Sequence, residues 1–124
     1  MKERLIQDLS KVFEKNQILT SDLYREIYSR DGSYFNIKPE VIVRPENAAE
    51  VQQLLAIARS HQVGITFRTG GTSLSGQTVN DGIICELRTA WKRNEVRENG
   101  KKIWFEPGLT AAQVNKLLRT YQTK

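Results

Sequence analysis

The sequence predicts an α/β fold in which helices flank a small, largely parallel sheet. The β-branched run Val41-Ile42-Val43 is followed by a segment with helical apolar spacing and then by a second short strand, Ile65-Thr66-Phe67. A strand, a helix and a strand in close succession are typical of a parallel βαβ crossover. With 124 residues, 39% of them apolar, the chain has enough sequence for one core and too little for two ordinary domains.

Two helices are predicted before the crossover. Apolar residues at helical spacing indicate one helix over residues 2–14. The Thr20-Ser21-Asp22 run supplies side-chain oxygens that cap a second helix, which ends near Tyr28. These helices make residues 1–35 a helical lead-in, and residues 36–124 are expected to form the domain that follows.

The crossover helix and the last helix each carry a capping signature. Asn47 with Glu50, and Thr110 with Gln113, have the spacing of a capping box. The last helix is predicted to run almost to Lys124. Because nothing polar or flexible follows it, we expect the chain to be a piece of a longer protein.

Two further strands are predicted after the crossover. They cover residues 83–87 and 102–106, and the second is entered through an Asn99-Gly100 turn and ended by Pro107-Gly108. We expect Cys85, Trp91 and Trp104 in and near these segments, and His61 after the crossover helix, to be structural rather than reactive.

Charge and cysteine content narrow the function classes. The net charge of +5 favours an anionic partner without choosing among nucleic acid, membrane lipid and phosphorylated cofactor. One cysteine and one histidine exclude an intrachain disulfide and a Cys/His zinc cluster. No apolar stretch of a secretory signal follows the first four residues. We therefore expect a cytoplasmic chain, with peripheral membrane attachment of a longer protein left open.

The segment with the clearest chemical signal follows the second crossover strand. Ten positions from Arg68 to Gln77 hold three glycines and four hydroxyl-bearing residues. Glycines let consecutive backbone N–H groups point into one concavity, and Thr72 and Ser73 add hydroxyl donors. Arg68 supplies charge at the strand end. This composition favours a phosphate site, and the alternative is a tight surface turn that only needs glycine conformations.

Two familiar nucleotide motifs do not fit this segment. Gly71 and Gly76 have the separation of a P-loop, but Gln77 occupies the lysine position, and a turn follows where that motif requires a helix. The glycines also lack the spacing of the dinucleotide fingerprint. The sequence therefore argues against an NTPase and against a Rossmann site.

The run from Asp31 to Val114 resembles the first half of the flavin-binding region of FAD-linked oxidases of the vanillyl-alcohol-oxidase/p-cresol-methylhydroxylase superfamily. Within that superfamily it is most similar to the branch of D-lactate dehydrogenases and the glycolate oxidase flavoprotein subunit. The matching pieces, in chain order, are residues 41–45, 51–58, 68–77 and 106–110.

The resemblance implies a set of cofactor contacts. It implies that the backbone amides of Gly70, Gly71, Thr72 and Ser73 bind the FAD pyrophosphate, with Arg68, Gln77, Pro107 and Gly108 beside the cofactor. Thr72 stands where members with covalent FAD carry histidine, so non-covalent FAD is implied. Thr69 departs from the family pattern, because many relatives have glycine there.

The resemblance also implies an activity for a longer protein. In such enzymes a D-2-hydroxy acid passes a hydride to FAD, and the base and the substrate-binding arginine lie beyond the first flavin subdomain. No catalytic or metal-binding residue is therefore expected in this chain, which alone should be inactive. The Thr72–Gln77 run with Trp91 looks most like long members that carry a fused iron–sulfur region.

A non-catalytic anion or nucleic-acid binding module is the alternative. Its working surface would be a basic patch, which we define as Lys92, Arg93, Arg97, Lys101 and Lys102. Glu86, Glu95 and Glu98 dilute the charge of this patch, which favours the flavin interpretation and no nucleic-acid partner.

Overall fold

The computed structural model describes residues 2–121, which form one main sheet of four strands. The strands are β1 (Ile18–Leu19), β2 (Val41–Val43), β3 (Ile65–Arg68) and β4 (Ile83–Glu86), in the spatial order β1-β2-β4-β3. Both β2 and β3 run parallel to β4, whereas β1 pairs antiparallel with β2. The predicted α/β fold with a largely parallel sheet is confirmed, and β4 inserts between the two crossover strands.

Four helices accompany the sheet: α1 (Lys2–Leu9), α2 (Asp22–Ile27), α3 (Ala48–Ser60) and α4 (Ala111–Leu118). The first helix is shorter than predicted, because the chain tightens after Leu9, where the Val12 and Phe13 amides both donate to the Leu9 carbonyl. A 3-10 turn at Arg119–Tyr121 follows α4, and the predicted end of that helix lies outside the described residues.

One of the two predicted capping boxes is confirmed. At α4, the Thr110 hydroxyl accepts from the Gln113 amide (3.2 Å) and the Gln113 side chain accepts from the Thr110 amide (2.8 Å). At α3, Asn47 accepts from the Glu50 amide, as predicted (2.9 Å). The Glu50 carboxylate, however, accepts from the Glu46 amide and the Gln17 side chain, so the reciprocal half of that box is wrong.

A separate antiparallel hairpin follows the main sheet. It pairs β5 (Asn94–Arg97) with β6 (Lys102–Phe105), so the fourth predicted strand belongs to this hairpin and not to the parallel sheet. The predicted turn at Asn99-Gly100 is confirmed, with φ of 55° and 88° at the two residues. The sequence analysis missed β5 because this strand offers one apolar residue among polar ones.

The core lies mainly between the sheet and helices α1 and α3. Leu5, Leu9 and Phe13 pack there with residues of the sheet and with Leu54 of α3. The opposite face of the sheet buries a smaller cluster, Leu19, Ile42 and Ile84. Residues 2–35 thus contribute two helices, the short strand β1 and part of the central core.

The four side chains expected to be structural have identifiable environments. Cys85 is fully buried, and burial raises the pKa of its thiol to about 12. His61 Nε2 lies 2.8 Å from an Asp8 carboxylate oxygen. Trp91 donates its indole N–H to the Pro45 carbonyl (2.7 Å), whereas Trp104 is half exposed on the hairpin. Across residues 2–121, no helix is long and apolar enough to cross a membrane.

Candidate functional site

A cleft of about 340 Å³ separates the loop after β3 from the turn after β6. We name residues 69–78 the glycine loop and this space the cleft. Ten residues line the cleft: Thr69, Gly70, Thr72, Arg88, Lys92, Pro107, Gly108, Leu109, Thr110 and Gln113.

Half of the residues predicted to bind a cofactor line this cleft. Gly70 and Thr72 come from the glycine loop, and Pro107 and Gly108 come from the turn after β6. The remaining four predicted residues, Arg68, Gly71, Ser73 and Gln77, lie outside the lining. The structure thus brings together two segments that are more than thirty positions apart in the sequence.

Parallel strand pairing explains why these segments meet. The carboxyl ends of β3 and β4 lie at the same edge of the sheet, and ligands of open α/β sheets bind at that edge. The glycine loop leaves β3 there, and the segment with Arg88 and Lys92 leaves β4 there. The Leu87 amide donates to the Arg68 carbonyl (2.9 Å), which continues the pairing beyond the two strands.

The turn after β6 is fastened to the segment after β4. The Gly108 amide donates to the Trp91 carbonyl at 2.6 Å. A Cβ on Gly108 would lie 2.9 Å from the Trp91 carbonyl carbon and closer still to its oxygen, so the two backbones approach this closely only with glycine there. Buried Glu106 accepts from the backbone and side chain of Arg93, and these hydrogen bonds lower the Glu106 pKa.

Arg68 supports the glycine loop from beneath. Its guanidinium donates to the carbonyls of Tyr28 (3.2 Å) and Thr78 (3.4 Å) and lies 5.0 Å from the centroid of the Tyr28 ring. Burial lowers the pKa of this group. Gly71 has a φ of +64°, and a Cβ there would stand 2.7 Å from Arg68 Cζ. The Arg68 side chain therefore packs under the loop at Gly71.

Two hydroxyl networks fix the second half of the glycine loop. The Ser73 hydroxyl accepts from the amides of Ser75 and Gln77, both at 3.3 Å. Asp31 accepts from the Thr78 hydroxyl (3.0 Å) and from the Ser33 amide (2.8 Å). Hydrogen bonds from Ser33 and Thr78 lower the Asp31 pKa to about 2, so this tether is ionised at neutral pH.

The first half of the glycine loop presents unused donors. Within residues 2–121, the backbone amides of Gly70, Gly71, Thr72 and Ser73 donate to no protein acceptor. A Cβ on Gly70 would meet only the Thr72 methyl group, at an ordinary 3.7 Å, so glycine at this position leaves open space next to the cleft. Consecutive free amides beside a glycine are the donor set that a phosphate group requires.

The charge of the cleft is positive. Arg88 and Lys92 line it, and none of the ten lining residues carries a carboxylate. The amino terminus of α4 also faces it through Thr110 and Gln113, which adds the positive end of the helix dipole. The arrangement suits an anion. Within the described part of the chain, no group of three or more His, Cys, Asp or Glu residues is placed to hold a metal.

Six lining residues were not predicted as cofactor contacts: Thr69, Arg88, Lys92, Leu109, Thr110 and Gln113. A signal for the two cations was present, because Arg88 directly follows the predicted third strand and Lys92 comes four residues later. The carboxyl-edge rule for parallel sheets would have placed them beside the glycine loop.

The fold and the phosphate-suited cleft define a nucleotide-cofactor domain, and comparison with known families specifies which one. Residues 39–124 match the sequence model of the family described as FAD binding domain, and the chain belongs to that family. The resemblance to FAD-linked oxidases that residues 31–114 carry is thus confirmed.

Curated relatives are oxidoreductases that are much longer than this chain. D-2-hydroxyglutarate dehydrogenase of Escherichia coli (strain K12) is 27% identical over 121 residues, which are 94% of this chain and 12% of that protein. Glycolate oxidase subunit GlcD of Bacillus subtilis (strain 168) is 28% identical over 112 residues, or 88% of this chain and 23% of that protein. The chain therefore spans less than a quarter of either relative.

Solved structures share the fold over nearly the whole chain. An alkyldihydroxyacetonephosphate synthase superposes with a TM-score of 0.81 at 18% identity, covering 95% of this chain and 25% of its own. Phl p 4, a grass pollen allergen with glucose dehydrogenase activity, gives a TM-score of 0.77 at 18% identity, covering 94% of this chain and 26% of its own. At such identities the likeness establishes the fold alone.

Proposed function

We propose that the cleft holds the pyrophosphate of a non-covalently bound FAD. The observation that supports this most directly is the row of four free amides from Gly70 to Ser73 beside a cationic cleft, in a chain that belongs to an FAD-binding family. The Thr72 side chain adds a hydroxyl donor at the cleft wall. The turn at Pro107 and Gly108 lines the same cleft.

The other predicted contact residues fit a supporting role. Arg68 is engaged with the Tyr28 and Thr78 carbonyls, and Ser73 and Gln77 hydrogen-bond with each other. We propose that these three side chains hold the loop so that its amides converge on the phosphates. Thr72 stands where members of the superfamily with covalent FAD carry histidine, which supports non-covalent attachment.

For the complete protein we propose a flavin-dependent dehydrogenase of a D-2-hydroxy acid. Bound FAD supplies the acceptor for the substrate hydride. This proposal is supported by relatives that are D-2-hydroxyglutarate dehydrogenases and a glycolate oxidase subunit. The residues of this chain bind and orient the cofactor, and we propose that the residues acting on substrate lie elsewhere, so that this chain alone turns over no substrate.

The relatives fall into two length groups. This chain covers 10–12% of some D-2-hydroxyglutarate dehydrogenases and 24% of another. A fused iron–sulfur region in a longer protein remains a prediction, as does the division of the chain after residue 35.

Calorimetric titration of the chain with FAD tests the proposed cofactor site. We expect weak binding, with a Kd of about 0.1–1 mM, equivalent to roughly −4 to −5.5 kcal/mol. Gly70→Val should weaken binding at least about tenfold, because its side chain would occupy the open space beside the free amides. Ser75→Val adds a comparable side chain to the same loop outside the cleft lining and should leave affinity unchanged.

The same titration with a duplex oligonucleotide distinguishes the alternative module. If FAD does not bind, or if Gly70→Val binds FAD as tightly as the unsubstituted chain does, the proposed cofactor site is wrong. Salt-sensitive oligonucleotide binding that the double variant Lys101→Gln/Lys102→Gln abolishes would then identify the basic patch as the working surface.

A further inference from the structure

We propose that Arg88 and Lys92 are the cationic partners of the bound pyrophosphate and make the site selective for phosphorylated over neutral flavins. This inference rests on the proposed cofactor site and deepens it. Both residues line the same cleft as Gly70 and Thr72 of the glycine loop, and both are exposed.

Ion pairing separates these two cations from three members of the basic patch. Arg93 pairs with Glu106 at 2.7 Å, Arg97 with Glu95 at 2.8 Å and Lys102 with Glu98 at 2.6 Å. Within residues 2–121, neither Arg88 nor Lys92 has a carboxylate partner. Three charges of the basic patch are thus compensated on the surface, whereas the two charges at the cleft are available for an anion.

The arginine at the strand end is not available in the same way. Arg68 is committed to two carbonyls and to the face of the Tyr28 ring, and it lies outside the cleft lining. Using its charge on a phosphate would require breaking these contacts. The positive charge that the sequence analysis expected from Arg68 is therefore supplied by Arg88 and Lys92, in the segment after β4.

Hydrogen bonds of Thr89 and Trp91 hold the segment that carries Arg88 and Lys92. The Trp91 indole donates to the Pro45 carbonyl (2.7 Å), and the Trp91 carbonyl accepts from the Gly108 amide (2.6 Å). The Thr89 hydroxyl donates to buried Glu86, which itself pairs with Arg44. Arg88 and Lys92 consequently extend from an anchored turn, so less backbone ordering is required when they meet the ligand.

Pairing between these cations and a phosphate makes the affinity for a ligand depend on the salt concentration and on the charge of the ligand. ADP and FAD carry the pyrophosphate and should bind more weakly as salt increases, whereas riboflavin carries no phosphate and should bind negligibly. Neutralising either cation should weaken ADP and FAD binding about 5- to 10-fold and flatten the salt dependence.

The experiment compares Arg88→Gln and Lys92→Gln with Lys101→Gln, a matched loss of one exposed cation on the hairpin. Affinities for ADP, FAD and riboflavin are measured with the 124-residue chain at about 0.03 M and about 0.3 M salt. Arg88→Lys keeps the charge and should recover most of the ADP affinity. Circular dichroism confirms that each variant is folded.

Each result decides the inference. Selective loss of ADP and FAD binding in the Arg88 and Lys92 variants, with recovery in Arg88→Lys, supports it. If the unsubstituted chain binds FAD but the Arg88 and Lys92 variants behave like Lys101→Gln, the inference is wrong and the proposed cofactor site stands. If the unsubstituted chain binds neither ADP nor FAD, the inference and the proposed cofactor site are both wrong.

Discussion

Replacing Gly71 with alanine tests whether the glycine loop is held over Arg68. At a φ of +64°, an L-residue pays about 1–2 kcal/mol that glycine does not. The new Cβ would also stand 2.7 Å from Arg68 Cζ, so the guanidinium must move away from the carbonyls of Tyr28 and Thr78. Each lost hydrogen bond costs about 0.5–1.5 kcal/mol.

These contributions predict that Gly71→Ala lowers the free energy of unfolding by about 2–5 kcal/mol. For a chain of this size the melting temperature should fall by roughly 8–20 °C. Gly70→Ala is the matched control, because its Cβ meets only the Thr72 methyl group at 3.7 Å. Both variants remove the same flexibility from the unfolded chain, so the difference between them isolates the folded loop.

Urea unfolding followed by circular dichroism measures both free energies. Gly70→Ala should stay within about 0.5 kcal/mol of the parent chain. Equal stabilities of the two variants would refute the packing of Arg68 beneath Gly71, and with it the supporting role proposed for that arginine.

Three further predictions concern stability and reactivity. Gly108→Ala should destabilise the chain by more than about 2 kcal/mol in the same assay, because its Cβ would overlap the Trp91 carbonyl. An unchanged stability would show that the turn at Gly108 and the segment at Trp91 are not in close contact. The pKa of Asp31 in the folded chain is about 2, below its ordinary value of 3.8. The contribution of ionised Asp31 to the free energy of unfolding is therefore complete above about pH 4 and is lost as the pH falls toward 2. Acid unfolding of Asp31→Asn should lack this loss. Cys85 should resist thiol reagents at pH 8 until urea unfolds the chain, since its pKa is raised to about 12; rapid labelling of the folded chain would contradict its burial.

Local sequence signals predicted three of the four strands of the main sheet and most of the helices, but not β1, which lies in the segment predicted to be helical. The run Val41-Ile42-Val43 and the capping residues Asn47 and Thr110 specify their elements through neighbours in the chain, and the structure confirms them. The reciprocal contact at Glu50 was wrong because Gln17 and the Glu46 amide take its carboxylate instead. A partner 33 positions away leaves no trace in local spacing.

The candidate site was predicted only in part, because some of its contacts join residues that are far apart in the sequence. The glycine loop is a local feature, whereas the position of Arg68 depends on Tyr28, 40 positions earlier. Strand β5 has little apolar alternation and forms through its pairing with Lys102–Phe105. The closeness of Gly108 to Trp91 follows from how the hairpin returns to the sheet, which depends on this non-local pairing.

Amide-resolved NMR of the 124-residue chain during titration with FAD tests the central claim most directly. The account predicts that the largest shifts occur at the amides of residues 70–73, with a second group at Gly108 and Leu109 across the cleft. The parts of α1 and α3 remote from the cleft should be unaffected. Shifts confined to Lys101 and Lys102, or no shifts at residues 70–73 with FAD at about ten times the expected Kd, would contradict a pyrophosphate site in the cleft.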